Sequence, residues 1–494
     1  MFKTLTRGAI AAATLALLSA CSTVGNDFAA PKFEPAGSYR HATAKSDGTI
    51  PLASWTLFND ATLDALELRA LRDNPNVEMA AQRLLEAQAQ LGVARAERGV
   101  KLNAGASTSY SHSSENTSQA IMLGRHTIEG SDYEVGASMS YELDLWGRVR
   151  RAVESADAQA LAARYDRDGV LLMLSNQVAV TYFQLRGIDA EIAILERALD
   201  TRRESEQLIT ARFDTGLSNE LDLSRARIER ANAEADLQEM RRQRFALEHG
   251  LAVLVGASPS EPVLAGMSGA ARTELPTPPV IPVSMPASLL SQRPDLASSV
   301  ASLQALNAQV GVAESAFYPS VSLTGSYGFA SEQLHELARG GSKQFSVGPL
   351  SLSLPILDGG RNKANLAGSQ ARYAEALASH QNKLLTALRE VEDALSDVQQ
   401  RQLQGDAQGQ AQQAAARAYE VAQARYERGV SNYLDVTDAQ RSSLAADRAA
   451  VQIRTQRLLA AVSLARALGG GWSPEASVKL ADQLPTKNGP GAAN

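Results

Sequence analysis

Asp435 and Asp438 stand three residues apart in a stretch of helical spacing, so both carboxylates can lie on one helix face. Acids placed this way attract cations, repel anions and can hold a divalent ion where they are crowded together. They can also do no more than favour a helix N-terminus through its dipole. Asp222 occupies the equivalent of position 435 in an internal repeat, whereas Arg225 occupies the equivalent of Asp438, so only one repeat offers the second acid. Little else in the chain is arranged for chemistry. The histidines (His41, His112, His126, His249, His335, His380) are scattered without metal-ligand spacing. No glycine-rich phosphate loop follows a strand, and Gly469-Gly470-Gly471 reads as a helix stop. No nucleophile–base pair is suggested and the methionines are dispersed. The residues therefore give no support to an enzyme, a cofactor or a bound metal.

The single cysteine, Cys21, rules out a disulfide framework within the chain. Lys3 and Arg7 precede a short apolar run from Gly8 to Leu18, a secretion signal too short to span a bilayer. The run ends in Leu18-Ser19-Ala20-Cys21, which looks like a bacterial lipobox and implies cleavage before Cys21 with lipid on its thiol. Ser22 after the cysteine is compatible with onward sorting to an outer membrane. Residues 1–20 are thus read as a lipoprotein signal peptide and 21–60 as a lipidated N-terminal arm.

The elements that must carry the acids come in duplicate. Ala211-Arg212-Phe213-Asp214-Thr215-Gly216-Leu217-Ser218-Asn219-Glu220-Leu221-Asp222 returns as Ala424-Arg425-Tyr426-Glu427-Arg428-Gly429-Val430-Ser431-Asn432-Tyr433-Leu434-Asp435, seven of twelve positions identical at an offset of 213. Gly147-Arg148 returns as Gly360-Arg361 at the same offset, and Ala89 to Ala94 returns as Ala308 to Ala313 at an offset of 219. One architectural unit is built twice. The first repeat spans 61–256, a proline-rich linker 257–288, the second repeat 289–471 and a loose tail 472–494. In each repeat two stretches alternate apolar and polar residues with period two: about 100–110 and 133–145, then about 320–329 and 345–356. The alternation changes phase at Gly348-Pro349, where a bulge or bend is expected. Between strands and tips the pattern is helical; Gly147 to about Arg212 predicts a rod of roughly 100 Å. The hairpin tips fall at about 213–222 and 426–438, with Asn219 a plausible cap.

Aromatics make up 5% of the 494 residues and alanine dominates long stretches, a composition suited to close-packed helices rather than a thick globular core. The net charge of −6 gives nucleic acid no electrostatic support. Strands of this length fit a tilted transmembrane β-strand. Four strands cannot close a barrel, and an open sheet edge is not tolerated in hydrocarbon, so strands that enter a bilayer require several copies of the chain. Two copies would supply eight strands and three would supply twelve, and spacing does not choose between them. A water-soluble sheet with one covered face is the alternative.

The signal, lipobox, duplicated strand–helix plan and paired glycine turns resemble the TolC/OprM-type outer-membrane factors over nearly the whole mature chain, with Ser291-Gln292-Arg293-Pro294-Asp295 and Gly348-Pro349-Leu350-Ser351-Leu352-Ser353-Leu354-Pro355 as further signatures. The resemblance implies an α+β membrane protein of long coiled-coil hairpins, trimeric, with a twelve-stranded barrel and a periplasmic helical tunnel. It implies a passive exit channel of a tripartite efflux system for drugs and toxic compounds, with a periplasmic adaptor and a proton-driven inner-membrane exporter as partners. A duct for type I protein secretion and a non-conducting envelope scaffold are the alternatives. By position, Leu434 and Asp438 match the constriction of the OprM branch, Asp435 and Asp438 the acidic rings of TolC, and Tyr426 and Asp222 the contacts that hold the TolC tip closed. Thr215, Gly216, Leu217, Ser218 and Arg428, Gly429, Val430, Ser431 are the implied adaptor-contacting tips. Ser431 departs from the family: TolC carries an arginine there, so its ion link has no counterpart at this position.

Overall fold

The computed structural model describes residues 23–33, 37–41, 49–122, 129–264, 274–283 and 286–475. Cys21, with the signal segment before it, lies outside the described residues. The chain forms two compact units, which do not coincide with the repeats, because each takes parts of both. One comprises Leu84–Ala163 and Ser299–Ser379 with the chain up to Pro31, and the other Lys32–Arg83, Arg164–Ser298 and the chain from His380.

The elements are α1 (Ala61–Asp73), α2 (Pro75–Ala96), β1 (Lys101–His112), β2 (Glu129–Leu143), α3 (Arg148–Asp214), α4 (Glu220–Leu254), α5 (Pro294–Ser315), β3 (Ser320–Ser331), β4 (Lys343–Ser353), α6 (Arg361–Glu427) and α7 (Tyr433–Ala467). The duplication is visible in their lengths: α2 and α5 have 22 residues each, α3 and α6 have 67, and α4 and α7 have 35. No helix among the described residues is long and apolar enough to cross a membrane.

In the first unit the four strands form one antiparallel sheet in the order β1-β2-β3-β4. Its register sorts side chains by polarity. Ala104, Ala137, Tyr327 and Phe345 form one rung, and Asn103, Ser138, Ser326 and Ser346 form the adjacent rung on the opposite face. In β4, Val347 faces Gly325 and Leu350 faces Leu323, so Gly348 and Pro349 together stand opposite Thr324. The extra residue is a bulge, and it offsets the phase slip read in the sequence: Val347 and Leu350 both stay on the apolar face. All twelve residues of β1 are exposed, as are all but one of β4. Among the described residues both are edge strands without a partner on their outer side.

The strands end earlier than their alternation suggests. Leu145, Leu354 and Ile356 fall outside the sheet because the chain turns to cap the long helices. Asp144 accepts from the amides of Val149 (3.1 Å) and Arg150 (2.8 Å), and Asp358 accepts from those of Gly360 and Asn362 (both 2.9 Å). At the other end β1 and β2 run on to His112 and back to Glu129, past the ends at 110 and 133 that the alternation marks. Residues 23–31 of the arm are tied down by Arg151, which is buried and donates to the carbonyls of Val24 (3.2 Å) and Gly25 (2.8 Å) and to Asp27 (2.9 Å).

In the second unit the core gathers α1, the middle of α3, the ends of α4 and α7 and part of α6 around Tyr182, Phe183, Leu63, Leu251 and Leu458. Leu264, Leu275 and Ile281 of the linker are buried in this core. One expectation needs correction here. Trp472, assigned to a loose tail, is buried with its indole N–H donating to Asp168 (3.0 Å); the acceptor satisfies the one polar atom of a large apolar ring, so its burial leaves no donor unpaired. The Ser291–Asp295 signature also finds its reason. Arg293 is buried and donates to Asp295 (2.8 Å), Glu390 (2.9 Å) and the Ala467 carbonyl at the end of α7 (3.1 Å). Burial works to raise the pKa of Asp295, but the Arg293 guanidinium outweighs it and holds the carboxyl below its usual range.

Glu67 on α1 is fully buried, and neither carboxyl oxygen has a hydrogen bond of good geometry. Burial, with the nearby Asp64 charge added, pushes its pKa well above the carboxylate range; the Ser175 hydroxyl opposes the shift without cancelling it. The neutral acid is therefore the form that fits the fold. Stability from this site is complete below the unfolded carboxylate pKa and is lost as pH rises through the folded value. Thermal unfolding in detergent between pH 5 and pH 9 should show the protein less stable at the alkaline end, and Glu67→Gln should flatten that slope; an unchanged slope would contradict the assignment.

Candidate functional site at the hairpin tips

Each long helix stops at a glycine in the left-handed region: Gly216 at φ 75° and Gly429 at φ 73°. A Cβ on either would meet open space, so backbone conformation rather than room requires glycine there. The closing hydrogen bonds match between repeats. Leu217 and Gly216 donate to the carbonyls of Arg212 (2.7 Å) and Phe213 (2.9 Å), and Val430 and Gly429 donate to those of Arg425 (3.0 Å) and Tyr426 (2.9 Å). This paired pattern satisfies carbonyls that the helix ends would leave bare. The return helices are capped alike: the Asn219 side chain accepts from the Asp222 amide (2.9 Å) and the Asn432 side chain from the Asp435 amide (3.0 Å).

Behind the turns a small apolar cluster joins the two hairpins. Ile209 and Leu223 come from the first, Tyr433 and Val436 from the second, and Tyr419 and Tyr426 pack against them. The Tyr426 ring lies 5.7 Å from that of Tyr433 and carries the Arg212 guanidinium 5.0 Å from its centroid. Burial first, then the neighbouring Tyr426, Glu229 and Asp222, pushes the Tyr433 hydroxyl up to about 12.

Above this cluster lies a group that sequence reasoning did not find. Glu229 on α4 is buried and meets Arg202 of α3 at 3.2 Å and Arg441 of α7 at its other oxygen (Nε, 2.8 Å). Arg202 is buried and also donates to the Glu229 carbonyl (3.0 Å); Arg441 is half exposed and reaches Asp438 at 3.7 Å. Three helices from both repeats thus meet at one carboxylate. A signal did exist. At the offset of 213, Arg202, Glu229 and Arg441 correspond to Ala415, Ser442 and Ile228, so each breaks the repeat in charge, as Asp438 does against Arg225.

The predicted site residues divide as follows. Leu434, Asp435 and Asp438 are all solvent-facing on the first turns of α7. Tyr426 and Asp222 belong to the same tip but keep separate partners: Tyr426 the cluster just described, Asp222 the Arg225 guanidinium at 3.7 Å. The tip residues Thr215, Gly216 and Leu217, and Arg428, Gly429 and Val430, are exposed, while Ser218 and Ser431 are half-buried. The Ser431 hydroxyl is enclosed without a hydrogen-bond partner, and Arg441, which pairs with Glu229, lies ten residues further on, nearly three helical turns away.

The description of the outer membrane efflux protein family matches residues 68–257 and 285–470. The chain is 34% identical to the outer membrane protein OprJ of Pseudomonas aeruginosa over 458 residues, covering 92% of this chain and 94% of that protein. It is 29% identical to the cation efflux system protein CusC of Escherichia coli over 420 residues, covering 85% and 89%. Among solved structures it is similar to the CmeC outer membrane channel of Campylobacter jejuni, with a TM-score of 0.85 at 26% identity over 94% of this chain and 98% of that one. The chain therefore belongs to the outer membrane efflux protein family, a family of outer-membrane channel proteins rather than enzymes.

Proposed function

We propose that three copies of this chain form a gated exit duct, anchored by lipid on Cys21, that passes small toxic molecules outward from a periplasmic adaptor and a proton-driven inner-membrane exporter. The observation that carries the reading is the sheet with two free edges. A chain of an outer-membrane family cannot leave β1 and β4 unpaired in hydrocarbon. Three copies supply a twelve-stranded closed wall, within the size range of membrane barrels, while two supply eight, a width that side chains fill. The exposed apolar tip residues Leu217 and Val430, beside Thr215, Gly216, Ser218, Arg428, Gly429 and Ser431, support the tips as the adaptor contact.

The gate is formed by Leu434, Asp435 and Asp438, which threefold symmetry would stack into rings at the narrowest point. Their support is exposure on one end of α7, beside the helix partner Arg441 that engages Glu229. Tyr426, Asp222 and the Arg202–Glu229–Arg441 group hold the closed arrangement, a bistable element that adaptor binding shifts.

Two measurements test this in planar bilayers. Asp435→Ala combined with Asp438→Ala should raise closed-state conductance severalfold and weaken cation preference; a variant indistinguishable from the parent in both would remove the acidic residues from the gate. Arg441→Ala should also raise closed-state conductance while lowering stability by only about 1 kcal/mol or less, since the arginine is half exposed and Arg202 remains to pair Glu229. Absence of any conductance from the purified wild-type protein would sink the duct itself and leave a scaffold.

A further inference from the structure

One motif of the second repeat has no full counterpart in the first. Helix α4 stops at a single glycine, Gly256, and α7 at three, Gly469, Gly470 and Gly471. The stop needs only the first of them. Gly256 and Ala257 donate to the carbonyls of Val253 (3.1 Å) and Ala252 (2.8 Å), and Gly469 and Gly470 donate to those of Arg466 and Ala465 (both 2.8 Å). At the offset of 213, Gly470, Gly471 and Trp472 correspond to Ala257, Ser258 and Pro259. The two extra glycines serve another purpose. Both stand in the left-handed region, at φ 60° and 79°. A Cβ on Gly470 would lie 2.5 Å from the Leu172 side chain, and one on Gly471 would run into the carbonyl oxygens of Ile50 and Pro51. The backbone beyond α7 is thereby pressed against α3 and the segment before α1, and it delivers Trp472 to Asp168.

This hook is one wall of a cavity of about 520 Å³. Leu52 and Trp55 come from the segment before α1, Leu68 from α1 and Leu171 and Leu172 from α3, and Trp472 completes the lining. The volume lies in the range of sites for drug-sized molecules, which are likewise walled mainly by apolar and aromatic side chains. Leu68, 63% exposed, and the Arg72 guanidinium, which Asp73 holds at 2.9 Å, stand where the cavity meets solvent. The charges around it are already matched. Asp168 is buried; one oxygen accepts from Nε (3.0 Å) and Nη2 (2.6 Å) of Arg167, and the other from the Trp472 indole. The other polar side chains of the lining are the hydroxyls of Ser54 and Ser175, and behind Ser175 stands Glu67, which burial keeps neutral. An ion entering here would find no unmatched counter-charge, and burying a charge without one is costly. An uncharged apolar molecule would gain contacts with both indoles, in a space that holds water poorly.

We infer that this cavity is a binding site for one uncharged, largely apolar small molecule, held against Trp55 and Trp472 with a single hydroxyl or carbonyl at Ser175. The site goes beyond the duct proposed above and does not depend on it. The test uses bromonaphthalene, an uncharged ring whose bromine quenches indole emission on contact, with the full-length protein in detergent. Two of the chain's three tryptophans line the cavity and the third, Trp146, belongs to the other compact unit, so Trp146→Phe leaves only the cavity's emission. A saturable loss of most of that emission is expected. Adding Ala53→Phe and Leu68→Phe, which fill the cavity, should raise the half-saturating concentration severalfold. Bromonaphthoate, the same ring with a carboxylate, should need a similar excess on the unfilled protein. Anomalous scattering from bromine in soaked crystals of the wild type should place the ring against Trp55 and Trp472, and this measurement decides the matter should the filled variant not fold. Quenching that grows in proportion to the probe, alike in filled and unfilled protein, is partition into detergent and overturns the site, as does bromine found only elsewhere. Bromonaphthoate bound as tightly as the uncharged ring overturns the ligand class.

Discussion

A backbone N–H or C=O group buried away from water needs a partner, and in hydrocarbon an unpaired one costs several kcal/mol. The sheet of this chain leaves two rows of such groups, along the outer sides of β1 and β4. Along both strands nearly every residue is exposed. For a member of an outer-membrane family this single requirement reaches through the rest of the molecule. It demands a repeating partner and alternation of polarity across the pleat. It also demands that the bulge at Gly348-Pro349 keep that alternation in step, because one unbalanced residue would turn Phe345 and Val347 to the wet face.

The duplication explains economy of design as well as its exceptions. Equal helix lengths, matching glycine stops and matching asparagine caps show that turn and helix-end chemistry was copied intact. Charge was not. Arg202, Glu229, Asp438 and Arg441 have uncharged or oppositely charged counterparts, and in the folded chain these four lie together where both hairpins meet. A buried carboxylate shared by two arginines keeps a partner when the exposed one, Arg441, lets go, and would strand a charge in a poorly hydrated setting only if Arg202 were lost as well. Such a group fits an element that must hold one arrangement firmly and release it as a unit.

Much of this was legible beforehand. Period-two alternation identified four strands, the glycine turns located the tips and the repeat made each half a check on the other. Where the reading failed, the cause was competition between local preferences. Leu145, Leu354 and Ile356 continue the strand pattern, yet Asp144 and Asp358 take the backbone into helix caps instead. Trp472 looks solvent-loving by its neighbours' composition, yet it fills space between helices whose separation no local pattern reports. Nothing in the local sequence marks Glu67 as buried, and only the fold reveals that its side faces the core.

The sequence by itself determined the kinds of element, their order, their turns and the doubling of the plan, because propensity, periodicity and capping act over a few residues and are written in the local order of side chains. Tertiary structure alone decided which distant charges meet. Glu229 and Arg441 are 212 residues apart, and nothing in either neighbourhood specifies the other. Their contact exists because apolar packing of Leu195, Leu199, Ala233 and Leu237, and of Ile209, Leu223, Tyr433 and Val436, sets the rotation of each helix about its axis. Rotation of that kind is a property of the assembled core.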